Sequence, residues 1–317
     1  MYFPFLRGKQ FELIALREIA GVLSGSNTIN PIIEPVKKKT STYIKTIDLL
    51  QKANVNFTIV INPSVGDKIR DIDYICANLL PPLAYENFQI GIIVRSQTNM
   101  VAITNKLKEL GLSQHPIVLI LGTILDESFD ALIDFIKTHT VAHILTSPKM
   151  SGRRKFLREL RKVNDNLIFL SDTFTRQLRN KDYLSDVDEF FSDEHIYYPE
   201  DGYKGYSDFL TVGKDYSESG FSPYAVAIHL TYFNAENEFR IHHFVSESNE
   251  DTSDVAGKFA EAIEKLIPFI NDNDMYTNAS NEFRKLYDDG KYPGLGTVKK
   301  LSILNHLELV HDYFSKK

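Results

Sequence analysis

The first half of the chain alternates between short apolar runs and longer amphipathic segments. Seven apolar runs start roughly 25–30 residues apart, and each is almost continuously apolar, as in strands covered on both faces of a parallel sheet. The runs are YFPFL (2–6), PIIEPV (31–36), FTIVIN (57–62), QIGIIV (89–94), IVLILG (117–122), HILTS (143–147) and LIFLSD (167–172). Between them, apolar residues such as Leu16, Ile19 and Leu23 recur at helical spacing, which predicts helices packed outside the sheet.

Seven strand–helix units in succession predict an α/β fold. A decorated (β/α)-barrel of the TIM-barrel type, with an added β-hairpin and C-terminal helices, fits this pattern best. A long doubly wound sheet is the alternative. The even size of the units and the lack of a glycine-rich dinucleotide turn after the first strand favour the barrel.

The pattern changes after residue 172. Residues 173–207 are polar, acidic and aromatic, and a connection of that length predicts a functional loop. The segments AVAIHLTYF (225–233) and EFRIHHFV (238–245) read as a β-hairpin. The barrel is closed either by the first of these strands or by DFLTVG (208–213), and the sequence leaves both open.

Helical patterns fill the remainder of the chain. They cover about 253–270, about 276–288 and a segment that starts at Thr297, which we take as a helix N-cap. We expect a single domain over 1–317. Its parts are regular units in 1–172, the long loop, closing strand and hairpin in 173–250, and C-terminal helices in 251–317.

Composition narrows the class of protein. Of the 317 residues 43% are hydrophobic and 25% are charged, and the net charge is −6, which argues against a nucleic-acid coat protein. The single cysteine, Cys76, allows neither an intrachain disulfide nor a cysteine-based zinc site. The N-terminal apolar stretch is interrupted by Arg7, and no apolar run reaches the ~20 residues needed to span a bilayer. We therefore expect a cytoplasmic protein with no membrane partner.

Polar residues at the strand ends are the candidates for a site, because parallel barrels build their sites there. The expected ligand-binding residues are Arg7, Lys9, Lys37, Asn62, Arg95 and Asp208, and the expected catalytic residues are Glu34, Asp172 and His229. Cations from several units would meet at one mouth and attract an anion, such as a phosphorylated small molecule or a nucleic-acid end. Strand ends are polar in any barrel, so pairs such as Arg7–Glu34 or Arg95–Asp172 are also open to a purely structural interpretation.

Other motifs favour neither a metal nor a cofactor, and we predict none. HLELVH (306–311) lacks the histidine spacing of a zinc helix, and His242 and His243 should point to opposite faces of a strand. A carboxylate metal site from Glu34, Asp172 and Asp208 with His229 is the alternative. GLGTVKK (294–300) resembles an anion-binding helix N-terminus, although its glycines also suit an ordinary helix entry.

Two groups of motifs resemble a known family. The opening MYFPFLRGKQFELIALREI with INPIIEPVK resembles the phage beta-protein-like family, through Tyr2, Pro4, Leu6, Arg7, Glu12, Pro31 and Glu34. GYSDFLTVG, YAVAIHLTYF and YPGLGTVKKLSILNHLEL resemble a branch of uncharacterised bacterial proteins, often encoded beside a second conserved gene in mobile or defence-rich regions. The matching positions are Ser207, Asp208, His229, Gly294, Gly296, Lys299, Lys300 and His306. The resemblance covers nearly the whole chain and implies a decorated barrel and a partner protein from a neighbouring gene.

Three functional hypotheses follow. The first is a barrel protein of a phage-defence or mobile-element system that binds a partner protein or an anionic ligand at the barrel mouth. The second is a hydrolase or nuclease acting on a phosphorylated substrate, with Glu34 or Asp172 as base and Arg7 and Arg95 as anion clamps. The third is nucleic-acid binding without chemistry, against which the acidic net charge counts.

Overall fold

Eight parallel strands follow one another around a single sheet in the order of the chain. They are β1 (Phe5–Leu6), β2 (Ile32–Ile33), β3 (Phe57–Val60), β4 (Phe88–Val94), β5 (Ile117–Leu121), β6 (Val141–Thr146), β7 (Leu167–Leu170) and β9 (Gly205–Ser207). The first and last strands also meet. The backbone N–H of Phe3 donates to the carbonyl of Tyr206 at 2.9 Å, and that of Phe5 donates to the carbonyl of Asp208 at 2.9 Å. The predicted (β/α)-barrel is therefore confirmed.

This computed structural model describes residues 1–67, 71–82, 85–122, 128–147, 154–217 and 222–317, and the chain divides into two compact units. The barrel unit comprises Met1–Lys9, Leu23–Ser171 and Glu194–Asp208. The second unit comprises Gln10–Val22, Asp172–Asp193 and Phe209–Lys317. The expectation of a single domain stays a prediction.

Helices follow the barrel strands, and the helices of ten or more residues bury one apolar face, as the one-sided stripes predict. The helices are α1 (Gln10–Ile19), which belongs to the second unit, and α2 (Ser41–Lys52), α3 (Ile72–Asn78), α4 (Met100–Glu109), α5 (Phe129–Thr138), α6 (Arg154–Val163) and the short α7 (Glu194–Tyr197). Asp71 and Asn99 cap α3 and α4, because their side chains accept hydrogen bonds from backbone N–H groups in the first turn. No helix among the described residues is long and apolar enough to cross a bilayer.

Strand register decides which side chains face the barrel interior. The rings of Phe3 and His143 lie 4.9 Å apart between centroids, although their segments are not neighbours in the sheet, so both face inward. Paired residues of parallel strands share a side, and side chains alternate along each strand. The strand pairing therefore directs the side chains of four residues at the carboxyl ends of the strands into the barrel interior: Arg7, Glu34, Asn62 and Arg95. The sequence predicted all four for these strand ends.

The second unit is built on an antiparallel sheet. β10 (Ala227–Phe233) and β11 (Phe239–Val245) form the expected hairpin, and β8 (Asp188–Ser192) pairs with β11, so the strand order is β10–β11–β8. The helices α8 (Val255–Asp272), α9 (Asn278–Asp288) and α10 (Leu295–Ser315) follow, and α10 packs against α1, α9 and β10. A Cβ at Gly296 would overlap the ring of Phe11 on α1, so glycine permits this close packing.

Three expectations for the C-terminal half are wrong. Residues 173–207 are not one long loop, since they contain a 3-10 helix (Asn180–Ser185), β8, α7 and β9. The closing strand is β9, so neither 208–213 nor 225–233 closes the barrel. Short strands whose partners lie far away in sequence give little local signal. The last helix is capped by Gly294 at a φ of +86° rather than by Thr297, because glycine adopts that left-handed conformation readily.

Candidate functional site

A buried ion pair lies on the barrel rim where β1 and β2 end. Nη1 of Arg7 contacts Oε2 of Glu34, and the Glu34 side chain is fully buried. Its other oxygen, Oε1, accepts hydrogen bonds from the backbone N–H and the hydroxyl of Ser64 at 2.5 and 2.9 Å. The Arg7–Glu34 salt bridge, which the sequence left open as a structural alternative, is therefore present, and both carboxylate oxygens of Glu34 are engaged by protein donors.

Asn62 and Arg95 complete the described part of this rim in different ways. The amide of Asn62 donates from Nδ2 to the carbonyl of Ile93 and accepts at Oδ1 from the N–H of Ile93, both at 2.8 Å. It thereby continues the β3–β4 ladder beyond its last residue. Arg95 is exposed, and its guanidinium forms no hydrogen bond or ion pair with a described residue. Of these two residues, only Arg95 remains available to a ligand.

The other predicted ligand-binding residues of the barrel unit are Lys9, Lys37 and Asp208. Lys9 and Lys37 are half-buried near the rim. Asp208 is buried, and its Oδ1 accepts a hydrogen bond from the hydroxyl of Tyr2 at 2.6 Å. Burial and then the charge of Asp208 raise the pKa of Tyr2 well above its ordinary value. Asp208 therefore joins the first and last strands, and its ligand-binding role stays a prediction.

Three side chains of the second unit form a hydrogen-bonded chain across its sheet. His229 on β10 lies directly opposite His243 on β11, and their Nδ1 atoms are 2.8 Å apart. Nε2 of His243 lies 3.0 Å from Oε1 of Glu189 on β8. The rings of Tyr183 and Phe174 pack against His229, with centroids 4.7 and 5.2 Å away. We name Glu189, His243 and His229 the histidine relay.

Hydrogen-bonding capacity determines where the protons of the relay lie. An ionised carboxylate only accepts, so Nε2 of His243 carries a proton and donates to Glu189. Nδ1 of neutral His243 is then an acceptor, and Nδ1 of His229 donates to it. Nε2 of His229 keeps a lone pair, has no hydrogen-bond partner among the described residues, and is not fully buried. The relay thus presents one basic nitrogen in a fixed orientation.

The surroundings keep both imidazoles neutral at pH 7. Burial lowers the pKa of His229 well below its ordinary value. A protonated His243 and the ammonium of Lys299 act in the same direction. Burial also lowers the pKa of His243, while the hydrogen bond and charge of Glu189 oppose that change. Nε2 of His229 is therefore unprotonated and able to accept a proton from a bound molecule.

Asp172, the third predicted catalytic residue, shares the second unit with His229. Its carboxylate is exposed, and Oδ1 accepts a hydrogen bond from the backbone N–H of Lys214 at 3.0 Å. Glu34 belongs to the barrel unit. The catalytic roles of Asp172 and Glu34 stay predictions.

Sequence reasoning selected His229 but missed His243 and Glu189. The hairpin pattern around 234–237 contained the signal for His243, because counting outward from the turn pairs residues 229 and 243. His242 and His243 do face opposite sides, as predicted, since Nδ1 of His242 lies 3.0 Å from Asp188. Glu189 gave no such signal, because its strand lies in a segment expected to be a loop. Among the described residues, no group of three or more His, Cys, Asp or Glu is arranged to hold a metal ion.

Comparisons with known proteins add little to this picture. No family model and no curated protein matches the chain. The crystal structure of the spore cortex-lytic enzyme SleL from Bacillus megaterium QM B1551 is similar over 86% of this chain and 68% of that chain, with 10% identity and a TM-score of 0.31. A similarity at that level supports no conclusion about function.

Proposed function

We propose that the protein is a hydrolase that acts on a phosphorylated substrate, with His229 as its general base. One observation carries this proposal: Nε2 of His229 is unpartnered among the described residues while its Nδ1 is held by His243. A histidine kept only for packing would more often have both nitrogens buried or paired. The contact between Glu189 and His243 is similar to that in a catalytic triad, where a carboxylate orients an imidazole.

In the proposed step, Nε2 of His229 removes one proton from a water molecule. The water oxygen forms a bond to phosphorus, the bond from phosphorus to the leaving oxygen breaks, and that oxygen takes a proton from solvent. His229 then returns its proton to solvent, so the reaction consumes one water. Glu189 and His243 are positioning residues in this scheme, because they orient His229 and stabilise the imidazolium that forms.

The test is hydrolysis of p-nitrophenyl phosphate and bis(p-nitrophenyl) phosphate by the whole chain. His229→Gln should lower kcat by about 10²–10⁴-fold, the usual contribution of a general base. His242→Gln is the matched control, since His242 is one residue along from His243 and faces the opposite side of the sheet. It should retain activity. Unchanged turnover in H229Q, or no hydrolysis by the unmodified protein, would refute the proposal.

A second candidate function is binding of a partner protein or anionic ligand at the barrel mouth. The exposed guanidinium of Arg95 supports it, since arginine suits carboxylate and phosphate contacts. The resemblance to the phage beta-protein-like family supports the accompanying proposal of a cytoplasmic role in phage defence or mobile elements.

Co-expression with the product of a neighbouring gene tests this candidate by size-exclusion chromatography. Arg95→Glu should abolish co-elution. Lys108→Glu, an equal charge change at an exposed position on α4, should not. Co-elution that is unaffected by R95E would place the contact elsewhere and contradict a role for the mouth.

A further inference from the structure

One ammonium group of the second unit lacks the ionic partner that its neighbour has. Lys299 and Lys300 are consecutive on α10, and Nζ of Lys300 lies 2.8 Å from Oε1 of Glu18. Lys299 is half-buried and forms no hydrogen bond or ion pair with a described residue. Its Nζ atom is not fully buried, so the ammonium group is accessible to an anion from solution.

Lys299 lies close to the histidine relay. Two contacts anchor α10 on β10: Nδ1 of His306 is 3.1 Å from the hydroxyl of Thr231, and Nδ2 of Asn305 donates to the carbonyl of Thr231 at 2.8 Å. His229 is on the same strand, two residues before Thr231. The positive charge of Lys299 is near enough to act on the imidazole of His229.

One carboxylate and one further cation lie in the surroundings of Lys299. Burial lowers the pKa of Lys299, the carboxylate of Glu12 on α1 opposes this, and Arg176 adds to the lowering. Glu12 is buried and comes near because Gly296 lets the start of α10 pack on Phe11. Two cations, Lys299 and Arg176, therefore share the surroundings of one carboxylate, Glu12.

We propose that Lys299 binds the phosphate group of a phosphomonoester substrate beside His229. A phosphomonoester dianion would offset the charges of Lys299 and Arg176 that Glu12 only partly offsets. A carboxylate would bring a single negative charge. The ammonium of lysine binds phosphate oxygens as a compact point charge. This inference rests on the proposed function of His229 and names the substrate group that the site recognises.

Isothermal titration calorimetry with inorganic phosphate tests the inference without requiring turnover. The whole chain should bind phosphate, and Lys299→Met should raise its Kd by about ten- to a hundredfold, the usual effect of losing a hydrogen bond to a charged group. Lys300→Met removes an equal charge from the same helix and should leave Kd unchanged. Lys299→Arg keeps the charge and should retain binding, which separates lost recognition from a lost fold.

Three outcomes overturn the inference: no binding of phosphate to the unmodified chain, equal Kd values for K299M and K300M, or equally tight binding of acetate. Hydrolysis of p-nitrophenyl phosphate, measured on the same variants, distinguishes this failure from that of the proposed function. Phosphate binding that depends on Lys299, in a chain that hydrolyses no p-nitrophenyl phosphate, would refute the proposed function alone. Hydrolysis that depends on His229, with no loss of phosphate affinity in K299M, would refute this inference alone.

Discussion

His143 gives the barrel interior a sensitivity to acid that can be measured. Its ring packs against Phe3, and its Nδ1 is buried with no hydrogen-bond partner among the described residues. Burial lowers the pKa of His143 from 6.5 to about 4. In the unfolded chain the imidazole regains its ordinary pKa. Between those two values the unfolded chain binds a proton that the native chain does not, so stability is full above pH 6.5 and is lost as the pH falls toward 4.

The size of the effect follows from the two pKa values. One pKa unit corresponds to about 1.4 kcal/mol. The native protein should therefore be about 3 kcal/mol less stable at pH 4 than at pH 7 through His143 alone. A loss of that size is a large fraction of the stability of a typical domain.

Urea unfolding of the unmodified chain and of His143→Leu, each at pH 7, 6, 5 and 4, measures this contribution. The chain has 16 tyrosines and no tryptophan, so far-ultraviolet circular dichroism and tyrosine fluorescence are the signals. Between pH 7 and pH 4, the free energy of unfolding should fall in both proteins, and the fall in H143L should be about 3 kcal/mol smaller than that in the unmodified chain. The absolute stability of H143L does not enter, because only the two pH dependences are compared. Identical pH dependences would refute the reasoning.

Three further predictions concern the rim, the base and the packing of α10. Arg7→Met leaves Glu34 buried without its counter-charge and should lower the free energy of unfolding, measured with urea, by about 3–5 kcal/mol. Adding Glu34→Gln should restore part of that stability, and no recovery in the double variant would contradict a stabilising ion pair. Hydrolysis should keep its kcat/KM from pH 8 down to 6.5, because His229 stays unprotonated until the pH falls to its lowered pKa; a decline centred at 6.5 would contradict that. Gly296→Ala should destabilise by about 1–3 kcal/mol, measured by thermal melting, and Phe11→Ala should relieve it; a fully stable G296A would contradict close packing.

The rim and the relay differ in how their polar groups are used. Both carboxylate oxygens of Glu34 and both polar atoms of the Asn62 amide have protein partners. Such groups stabilise strand ends and leave little capacity for substrate. In the relay, by contrast, the chain of hydrogen bonds ends at an unpartnered nitrogen of His229. That difference is the reason for placing the chemistry in the second unit.

The sequence by itself determined the parallel barrel, because two-sided burial and helical periodicity are local patterns that repeat in every unit. It also determined the hairpin and the rim positions of Arg7, Glu34, Asn62 and Arg95, since each follows an apolar run that ends at the same edge of the sheet. The Arg7–Glu34 pair could be foreseen for the same reason, because consecutive strands are neighbours in a barrel.

Only the tertiary structure decided which strand closes the barrel and which residues complete the site. Gly205–Ser207 is three residues long and pairs with a segment about 200 residues away. Its own composition therefore does not indicate which segment it pairs with. Glu189 reaches His243 through a pairing of β8 with β11 across about 50 residues. Contacts of that range depend on how the whole chain packs, whereas hydrophobic periodicity reports only on a strand's immediate surroundings.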